Sequence, residues 1–210
     1  MSLVTQIKPQ KNKKRFNIFL DGKFSFGLDA EVLVKQGLKV GQELKPEQVE
    51  KLIKENELQK ILDRVFNFLS FRPRSQKEIL NFLKRKQVGE QTQDLIIKKL
   101  ADLKMIDDLA FASWWSEQRQ TFRPEGQRLL KMELKNKGIA KEIIDQALKE
   151  QKPVSQLAMA EKLLAKKKNQ LQKLSFEERK KKIYGLLLRR GFSYETVKKL
   201  IGRDFDEDFQ

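Results

Sequence analysis

Phe71-Arg72-Pro73 returns as Phe122-Arg123-Pro124, 51 positions further along the chain. The likeness extends beyond these residues, because an apolar set recurs at the same offset and again at a further offset of 53. The aligned sets are Ile79, Leu83 and Val88; Leu130, Leu134 and Ile139; and Ile183, Leu187 and Phe192. One helical unit is therefore written three times, which predicts an array of similar modules rather than an enzyme built around a pocket.

Each unit shows the pattern of three helices. In the first unit, Pro73 ends one helix and Ser75-Gln76-Lys77-Glu78 predicts a capping box that opens the next, while a loop through Gly89 leads to the third. Ser175-Phe176-Glu177-Glu178 predicts a second capping box in the third unit. A short turn joins the middle and final helices, which is a helix-turn-helix-like arrangement that also occurs in purely structural bundles.

The front of the chain differs from the rest and indicates strands. Residues 1–28 are predicted to form strands, of which the first, Leu3 to Ile7, is short and mixed. Residues 15–20 and 23–28 flank Asp21-Gly22, a dipeptide suited to a tight hairpin turn. Asp29 is a candidate cap for a short helix over 30–36, and Pro46 suits the start of a helix that runs through Asn56. Alternation along the two strands predicts one apolar face made by Phe16, Ile18, Leu20, Phe24, Phe26 and Leu28.

The sequence therefore predicts a mainly α protein. It is expected to be a tandem array of three three-helix, helix-turn-helix-like repeats, preceded by a small N-terminal β-hairpin-plus-helix module. The predicted divisions are a strand and helix module at 1–56, repeats at 57–106, 107–152 and 153–203, and an acidic tail at 204–210.

The amino-acid composition limits the kinds of catalytic and metal site that this chain can form. The chain has no Cys and no His, which excludes thiol nucleophiles, disulfides, Cys/His metal sites and imidazole bases. No Gly-rich phosphate loop or dinucleotide fingerprint is present. Asp107-Asp108 is better explained as a helix cap than as a metal pair. We therefore expect no catalytic residue, no metal and no cofactor.

The net charge of +16 favours a polyanionic partner, such as nucleic acid or an acidic protein surface. A soluble basic protein with solvated faces is the plain alternative. The first residues contain no apolar core of a secretory signal, and no apolar run approaches the roughly 20 residues that span a bilayer. We expect a cytoplasmic protein without membrane contact.

Charge is concentrated in the third unit, where residues 155–203 carry 14 basic and 4 acidic side chains, a net charge of +10. On its middle helix Arg179, Lys182, Gly185 and Arg189 follow spacings of 3, 3 and 4, so they share one face. Gly185 is expected to let a partner backbone approach closely. This face is a candidate anion-binding stripe, and a solvated outer face is the alternative.

Other cations occur at repeated positions. Lys86, Lys137 and Arg190 each end a middle helix, where a cation complements the helix dipole or contacts a partner. Arg72 and Arg123 each precede a proline, where a guanidinium can bind a carboxylate, a phosphate or free helix carbonyls. The candidate partner-binding set comprises Arg179, Lys182, Arg189, Arg190, Arg72, Arg123, Lys77, Arg128 and Lys137.

Two adjacent tryptophans cannot both face inward from one helix. Trp115 fits the apolar face of the second unit, and Trp114 is expected to be partly exposed and free to pack on a neighbouring unit or a partner.

Three stretches resemble the RecX family of regulators of the RecA recombinase. They are residues 72–80, from Arg72 to Leu80; residues 106–112, from Ile106 to Ala112, with Trp115 and Arg119; and residues 133–139, from Glu133 to Ile139. The third unit matches more in pattern than in letters. The second unit has Glu125-Gly126 where the first has Arg74-Ser75, so the units are not interchangeable.

The resemblance implies a non-enzymatic protein, expected to be a monomer, that binds the RecA–single-stranded-DNA filament. Members of the family are taken to block filament extension, to inhibit strand exchange and ATP hydrolysis, and to favour disassembly. Contact with single- or double-stranded DNA is left open. An autonomous nucleic-acid-binding protein is the alternative. A hydrolase that uses carboxylates and Mg²⁺ is the least favoured class, because the acidic residues are predicted to be helix caps or helix-surface groups.

Overall fold

The computed structural model describes residues 1–11, 13–150 and 155–207, and the side chains of 155–202 within the last range. The N-terminal part forms an antiparallel four-stranded sheet in the order β3-β2-β1-β4. Its strands are β1 (Ser2–Pro9), β2 (Arg15–Leu20), β3 (Lys23–Asp29) and the two-residue β4 (Glu43–Leu44). Sequence patterning predicted the first three of these strands and missed β4, which is too short to show an alternation.

The predicted hairpin turn is confirmed. Asp21 and Gly22 both have positive φ, 50° and 80°, and they connect the paired residues Leu20 and Lys23. Positive φ at both central residues is the geometry of a type I′ turn, whose twist matches that of the flanking strands. Asp29 caps α1 (Ala30–Lys35) by accepting a hydrogen bond from the backbone N–H of Glu31.

The predicted apolar face of the hairpin is wrong at Phe24. Ile18 pairs with Phe26, but the next residue, Phe19, pairs with Phe24, so Ser25 is an extra residue in β3. Since successive side chains alternate across a sheet, this bulge moves Phe24 to the face opposite Phe26. Phe26 is buried, whereas Phe24 is 59% exposed.

The helix that begins at Pro46 does not end at Asn56. It continues as α2 (Pro46–Ser70) across the predicted division at 56/57, because no Gly or Pro interrupts it. Asn56 is buried within it, where its amide donates to the Gly27 carbonyl and accepts from the Asp29 backbone N–H. The end of β3 is thereby tied to the middle of α2.

In the described residues after α2, the regular structure is helical. The helices of the first two repeats after α2 are α3 (Gln76–Arg85), α4 (Glu90–Asp102), α5 (Asp108–Phe122), α6 (Gln127–Asn136) and α7 (Lys141–Glu150). The third repeat contains α8 (Gln156–Ala165), the single turn α9 (Lys168–Leu171), α10 (Phe176–Arg189) and α11 (Tyr194–Glu207).

The repeated apolar residues form the cores that the sequence predicts. The second repeat packs Phe111 and Ala112 of α5 against Leu130, Leu134 and other members of one cluster, with both tryptophans at its edge. The third packs residues of α8, α10 and α11 into a separate cluster that contains Ile183, Leu187 and Phe192. The mainly α fold with three three-helix repeats behind a small strand module is therefore confirmed.

The chain separates into two compact units, Met1–Arg72 and Pro73–Gln210. The predicted start of the third repeat near Pro153 lies outside the described residues. The predicted acidic tail is partly helical in its backbone, because α11 extends to Glu207. The exact divisions between modules remain predictions.

Candidate partner-binding surface

The first and second repeats meet at the N-terminus of α3. The Ser75 hydroxyl donates to the backbone carbonyl of Lys137 at 2.7 Å, and Lys137 Nζ contacts Glu78 Oε1 at 2.5 Å. Gly138, at φ +85°, lies so close to Lys77 that a Cβ on this glycine would be 2.6 Å from the lysine Cβ. The turn after α6 therefore packs directly on the start of α3.

The acidic pair at the start of α5 strengthens this junction. Asp107 caps α5 by accepting from the N–H groups of Leu109 and Ala110. Asp108 instead accepts from the N–H of Gln76, the first residue of α3, at 3.0 Å. Burial raises the pKa of Asp108, the Gln76 N–H opposes that rise, and Asp107 adds to it. The prediction that this pair caps helices is confirmed, and Asp108 caps a helix of the preceding repeat.

The second and third repeats meet in the same way at the N-terminus of α6. The N–H of Gly126 donates to the carbonyl of Arg190 at 2.7 Å. A Cβ placed on Gly126 would lie 2.1 Å from the carbonyl carbon and oxygen of Gly191. Gly191 itself, at φ +79°, faces the backbone of Leu129. Two backbones are in contact here with no side chain between them.

The two junctions occupy equivalent positions. Ser75 and Gly126 differ by the offset of 51, and Lys137 and Arg190 by the offset of 53, which are the offsets of the apolar repeat. At each junction, the N-terminus of the middle helix of one repeat contacts the turn that follows the middle helix of the next repeat. The repeat in sequence is therefore also a repeat in how the modules are joined.

A buried carboxylate lies at the second junction. The side chain of Glu125 is fully buried, with Arg123 Nε at 3.0 Å, Arg190 Nη1 at 3.4 Å and Arg119 Nε at 3.7 Å from its oxygens. Burial raises the pKa of Glu125, and the neighbouring Glu133 raises it further, while the three guanidiniums oppose the rise. Two candidate partner-binding residues, Arg123 and Arg190, are thus ion-paired with this carboxylate, although the side chain of Arg123 remains 56% exposed.

A second network joins α5 to α6 beside this carboxylate. Glu133 accepts from Trp115 Nε1 at 2.9 Å and pairs with Arg119 at 2.6 Å. The Arg119 guanidinium lies 4.4 Å, and Lys137 Nζ 4.5 Å, from the centre of a Trp115 ring. Lys137 therefore contacts Glu78 and Trp115, which supports the structural interpretation of cations at this helix end.

The cationic stripe on α10 has a different environment. Lys182 and Arg189 are exposed and Arg179 is half-buried. The Arg189 guanidinium covers Gly185, because a Cβ there would lie 3.2 Å from Nη1. A partner backbone that approaches Gly185 would therefore have to displace the exposed Arg189 side chain, and the predicted close approach at Gly185 stays a prediction.

The helix that carries the stripe, α10, is longer than the middle helices of the other two repeats and begins one turn earlier. It has 14 residues, whereas α3 and α6 have 10. Ser175 and Glu178 form the predicted capping box, and the Ser175 hydrogen bonds lower the pKa of Glu178. The extra N-terminal turn places Arg179, the counterpart of Ser75 and Gly126, inside a helix rather than at a cap.

The remaining predicted residues are dispersed. Lys77 and Arg128 are exposed, near the starts of α3 and α6, and Arg72 is half-buried at the end of the first compact unit. Sequence reasoning assigned no role to Glu125 and Arg119, although the departure at Glu125-Gly126 from Arg74-Ser75 was visible in the repeat. A carboxylate directly after a repeated Arg-Pro pair is the signal that could have identified this cluster.

Among the described residues, no cluster of acidic side chains has the size to hold a metal ion. None of the described helices combines the length and apolar character that crossing a membrane requires.

Comparison with known proteins agrees with this architecture. Three protein-family models match the chain. The regulatory protein RecX N-terminal domain matches residues 2–45, the RecX second three-helix domain matches residues 107–148, and the RecX third three-helix domain matches residues 155–201.

Similar whole sequences carry the same name. The regulatory protein RecX of Listeria monocytogenes is 36% identical over 189 residues, covering 90% of this chain and 70% of the relative. That of Leuconostoc mesenteroides is 32% identical, covering 99% and 78%.

Two solved structures share the fold. A crystal structure of regulatory protein RecX has a TM-score of 0.76 at 30% identity, covering 97% of this chain and all of its own. RecX from Lactobacillus salivarius has a TM-score of 0.61 at 28% identity, over 71% of this chain and 97% of that one. Together with the repeat architecture, these matches show that the chain belongs to the regulatory protein RecX family.

Proposed function

We propose that this protein binds the RecA–single-stranded-DNA filament and inhibits RecA recombination and ATP hydrolysis, by blocking filament growth or promoting disassembly. The family supplies the regulatory role, and the resemblance in sequence supplies RecA as the partner. The proposed action is binding without catalysis, by a monomer in the cytoplasm.

The observation that carries this proposal is the division of the cations into two groups. Arg123, Arg190 and Lys137 neutralise carboxylates of the array itself. Lys182 and Arg189 project from α10 in a repeat whose net charge is +10. Within the first group, Lys137 and Arg190 pair with carboxylates of the preceding repeat and Arg123 pairs with one of its own repeat. The second group is available to an acidic protein surface or to phosphate.

An array of joined repeats also suits a filament. Each repeat contributes its own outward face, so contacts with successive filament subunits act together and raise the apparent affinity. This requires junctions that hold their geometry, which the hydrogen bonds and ion pairs described above provide.

The test is charge reversal of the stripe. A variant with Arg179→Glu, Lys182→Glu and Arg189→Glu is expected to lose most of its inhibition of RecA ATP hydrolysis on single-stranded DNA, with an unchanged circular dichroism spectrum. The matched control reverses three exposed lysines of the first repeat, Lys84, Lys98 and Lys99, and is expected to inhibit almost normally.

Two results would count against the proposal. Full inhibition by the stripe variant would remove α10 from the mechanism. A wild-type protein that neither co-sediments with RecA filaments nor slows ATP hydrolysis would remove RecA as the partner.

The net charge of +10 in the third repeat also favours a second candidate, an autonomous nucleic-acid-binding protein. Its signature is an affinity for DNA, in the absence of RecA, that falls steeply as salt is raised. If such binding accounts quantitatively for the inhibition of RecA, by simple competition for DNA, the second candidate is preferred.

A further inference from the structure

Two aromatic rings lie on the outer face of the N-terminal sheet, away from the core. Phe19 and Phe24 are paired across β2 and β3, with ring centroids 6.0 Å apart and planes at 77°. Phe24 is largely exposed and Phe19 is half-buried. The core on the other face is made by Val4, Ile18, Phe26, Leu28 and residues of the helices.

A bulge in β3 places Phe24 on the outer face beside Phe19, which follows the buried Ile18. The extra residue in β3 turns Phe24 outward, and a second irregularity in β1, between Val4 and Gln6, accompanies it. A sheet without the β3 bulge would bury Phe24 beside Phe26. Bulges often lie next to functional sites, where they turn a side chain toward a ligand. The exposed Phe24 ring is therefore a candidate binding residue.

Cations share the face with the rings. Lys8 Nζ lies 5.3 Å from the centre of the Phe19 ring. Arg15 Nη2 donates to the Gly27 carbonyl at 3.4 Å, and a Cβ on Gly27 would lie 3.2 Å from the same nitrogen. The missing side chain at Gly27 therefore leaves room for the guanidinium to approach the backbone of β3.

Charge where β1 leads into β2 has one dominant sign. Residues 8–15 contain five cations and no acid, and Lys8 is the one of these shown in contact with a ring. Of the carboxylates nearby, Asp21 accepts from the Leu3 N–H and Asp29 caps α1. Glu43 lies on β4, separated from the rings by β1. Amides complete the face, where Gln10 donates to Asn17 at 2.8 Å.

We propose that this face binds a single-stranded nucleic acid, with a base stacked on Phe24 and Phe19 and with phosphates at Lys8 and Arg15. Exposed aromatic rings beside cations and amides match the three parts of a single strand, which are base faces, phosphates and base edges. A duplex offers phosphates but hides its base faces. A protein partner fits less well, because Lys8 lies against the Phe19 ring and charged groups are depleted at the centres of protein interfaces.

This inference does not depend on RecA. The sheet belongs to the compact unit Met1–Arg72, whereas the stripe on α10 belongs to Pro73–Gln210. The sheet can therefore be tested with the full chain and DNA alone, and its failure leaves the proposed inhibition of RecA standing.

The experiment measures binding of the full chain to a fluorescein-labelled oligothymidylate by anisotropy. Phe24→Ala and Phe24→Leu are expected to weaken binding by about 5-fold or more, because one base–aromatic stack is lost. Phe24→Trp is expected to bind at least as well as the wild type, with quenching of the new tryptophan. The control is Val34→Ala on α1, which removes another exposed apolar side chain of the same unit and is expected to change nothing.

The comparison is repeated in the charge-reversed α10 variant, since cations there also attract phosphate. Equal affinities of the wild type, Phe24→Ala and Phe24→Leu in both backgrounds would overturn the proposal. So would equal binding of a duplex oligonucleotide with the same dependence on Phe24. A loss of binding to RecA with unchanged binding to the oligothymidylate would reassign the face to a protein partner.

Discussion

The two repeat junctions share one backbone plan and differ in the chemistry that completes it. At the first, the Ser75 hydroxyl reaches the Lys137 carbonyl. At the second, Gly126 has no side chain, and its own N–H reaches the Arg190 carbonyl at the same length of 2.7 Å. The same acceptor position is thus satisfied by a side chain in one case and by the backbone in the other.

The difference extends to charge. The first junction contains the ion pair of Glu78 with Lys137, and both side chains keep some solvent contact. The second buries Glu125 completely among three arginines. Closer approach of the backbones excludes water, and a carboxylate without water requires several cationic neighbours. The second junction is therefore expected to tolerate less change than the first.

The largest expected effect is that of Gly126→Ala. The new methyl group meets the Gly191 backbone at 2.1 Å, and backbone cannot move aside as a flexible side chain can. The free energy of unfolding, measured in urea, is expected to fall by about 3 kcal/mol or more. Gly202→Ala is the control, because a Cβ at that helical position meets nothing within 4 Å and alanine favours a helix.

Gly126→Ala also has a matched counterpart at the first junction. Ser75→Ala removes an N-cap and the hydrogen bond to Lys137 but creates no clash, so a loss of about 1 kcal/mol is expected. Equal losses at the two positions would show that backbone contact does not distinguish the junctions.

An intermediate effect is expected from the two cations that end α6 and α10. Arg190→Met leaves the buried Glu125 with two guanidiniums instead of three, and the free energy of unfolding is expected to fall by about 2 kcal/mol. Lys137→Met breaks a pair that retains solvent contact, and a loss of about 1 kcal/mol is expected. Urea unfolding of the two variants in parallel checks the order. The reverse order would mean that Arg119 and Arg123 alone suffice for Glu125.

What the sequence predicted is mostly local. The caps at Ser75, Asp107 and Ser175 and the turn at Asp21-Gly22 depend on neighbouring residues, and the structure confirms all of them. The threefold apolar pattern was readable because each repeat needs the same core. These features required no knowledge of distant contacts.

What it missed depends on contacts between distant segments. The bulge that exposes Phe24 is a matter of strand register, and alternation alone assigns that residue to the core. The burial of Glu125 arises only when the turn at Arg190 meets the start of α6. For the same reason the sequence did not show that Arg123 and Arg190, both predicted to bind a partner, also pair with this carboxylate.

The smallest expected effect concerns the pH dependence of stability. Burial raises the pKa of Glu125 above its ordinary value of 4.5, so the folded protein holds this proton more tightly than the unfolded chain does. The contribution to stability is then greatest below the unfolded pKa and is lost as pH rises through the raised folded pKa. Subtracting the free energy of unfolding of Glu125→Gln, which cannot titrate, isolates this contribution from that of the other carboxylates.

The difference between wild type and Glu125→Gln is expected to fall with rising pH from about 4.5 and then to level off. Asp108→Asn at the first junction is expected to show the same sign, because burial raises the pKa of Asp108 as well. The opposite slope for Glu125 would mean that its three guanidiniums outweigh burial and that the second junction is held by a strongly favourable ion cluster. In that case Arg190→Met should cost more than Gly126→Ala, and the order of effects given above would reverse.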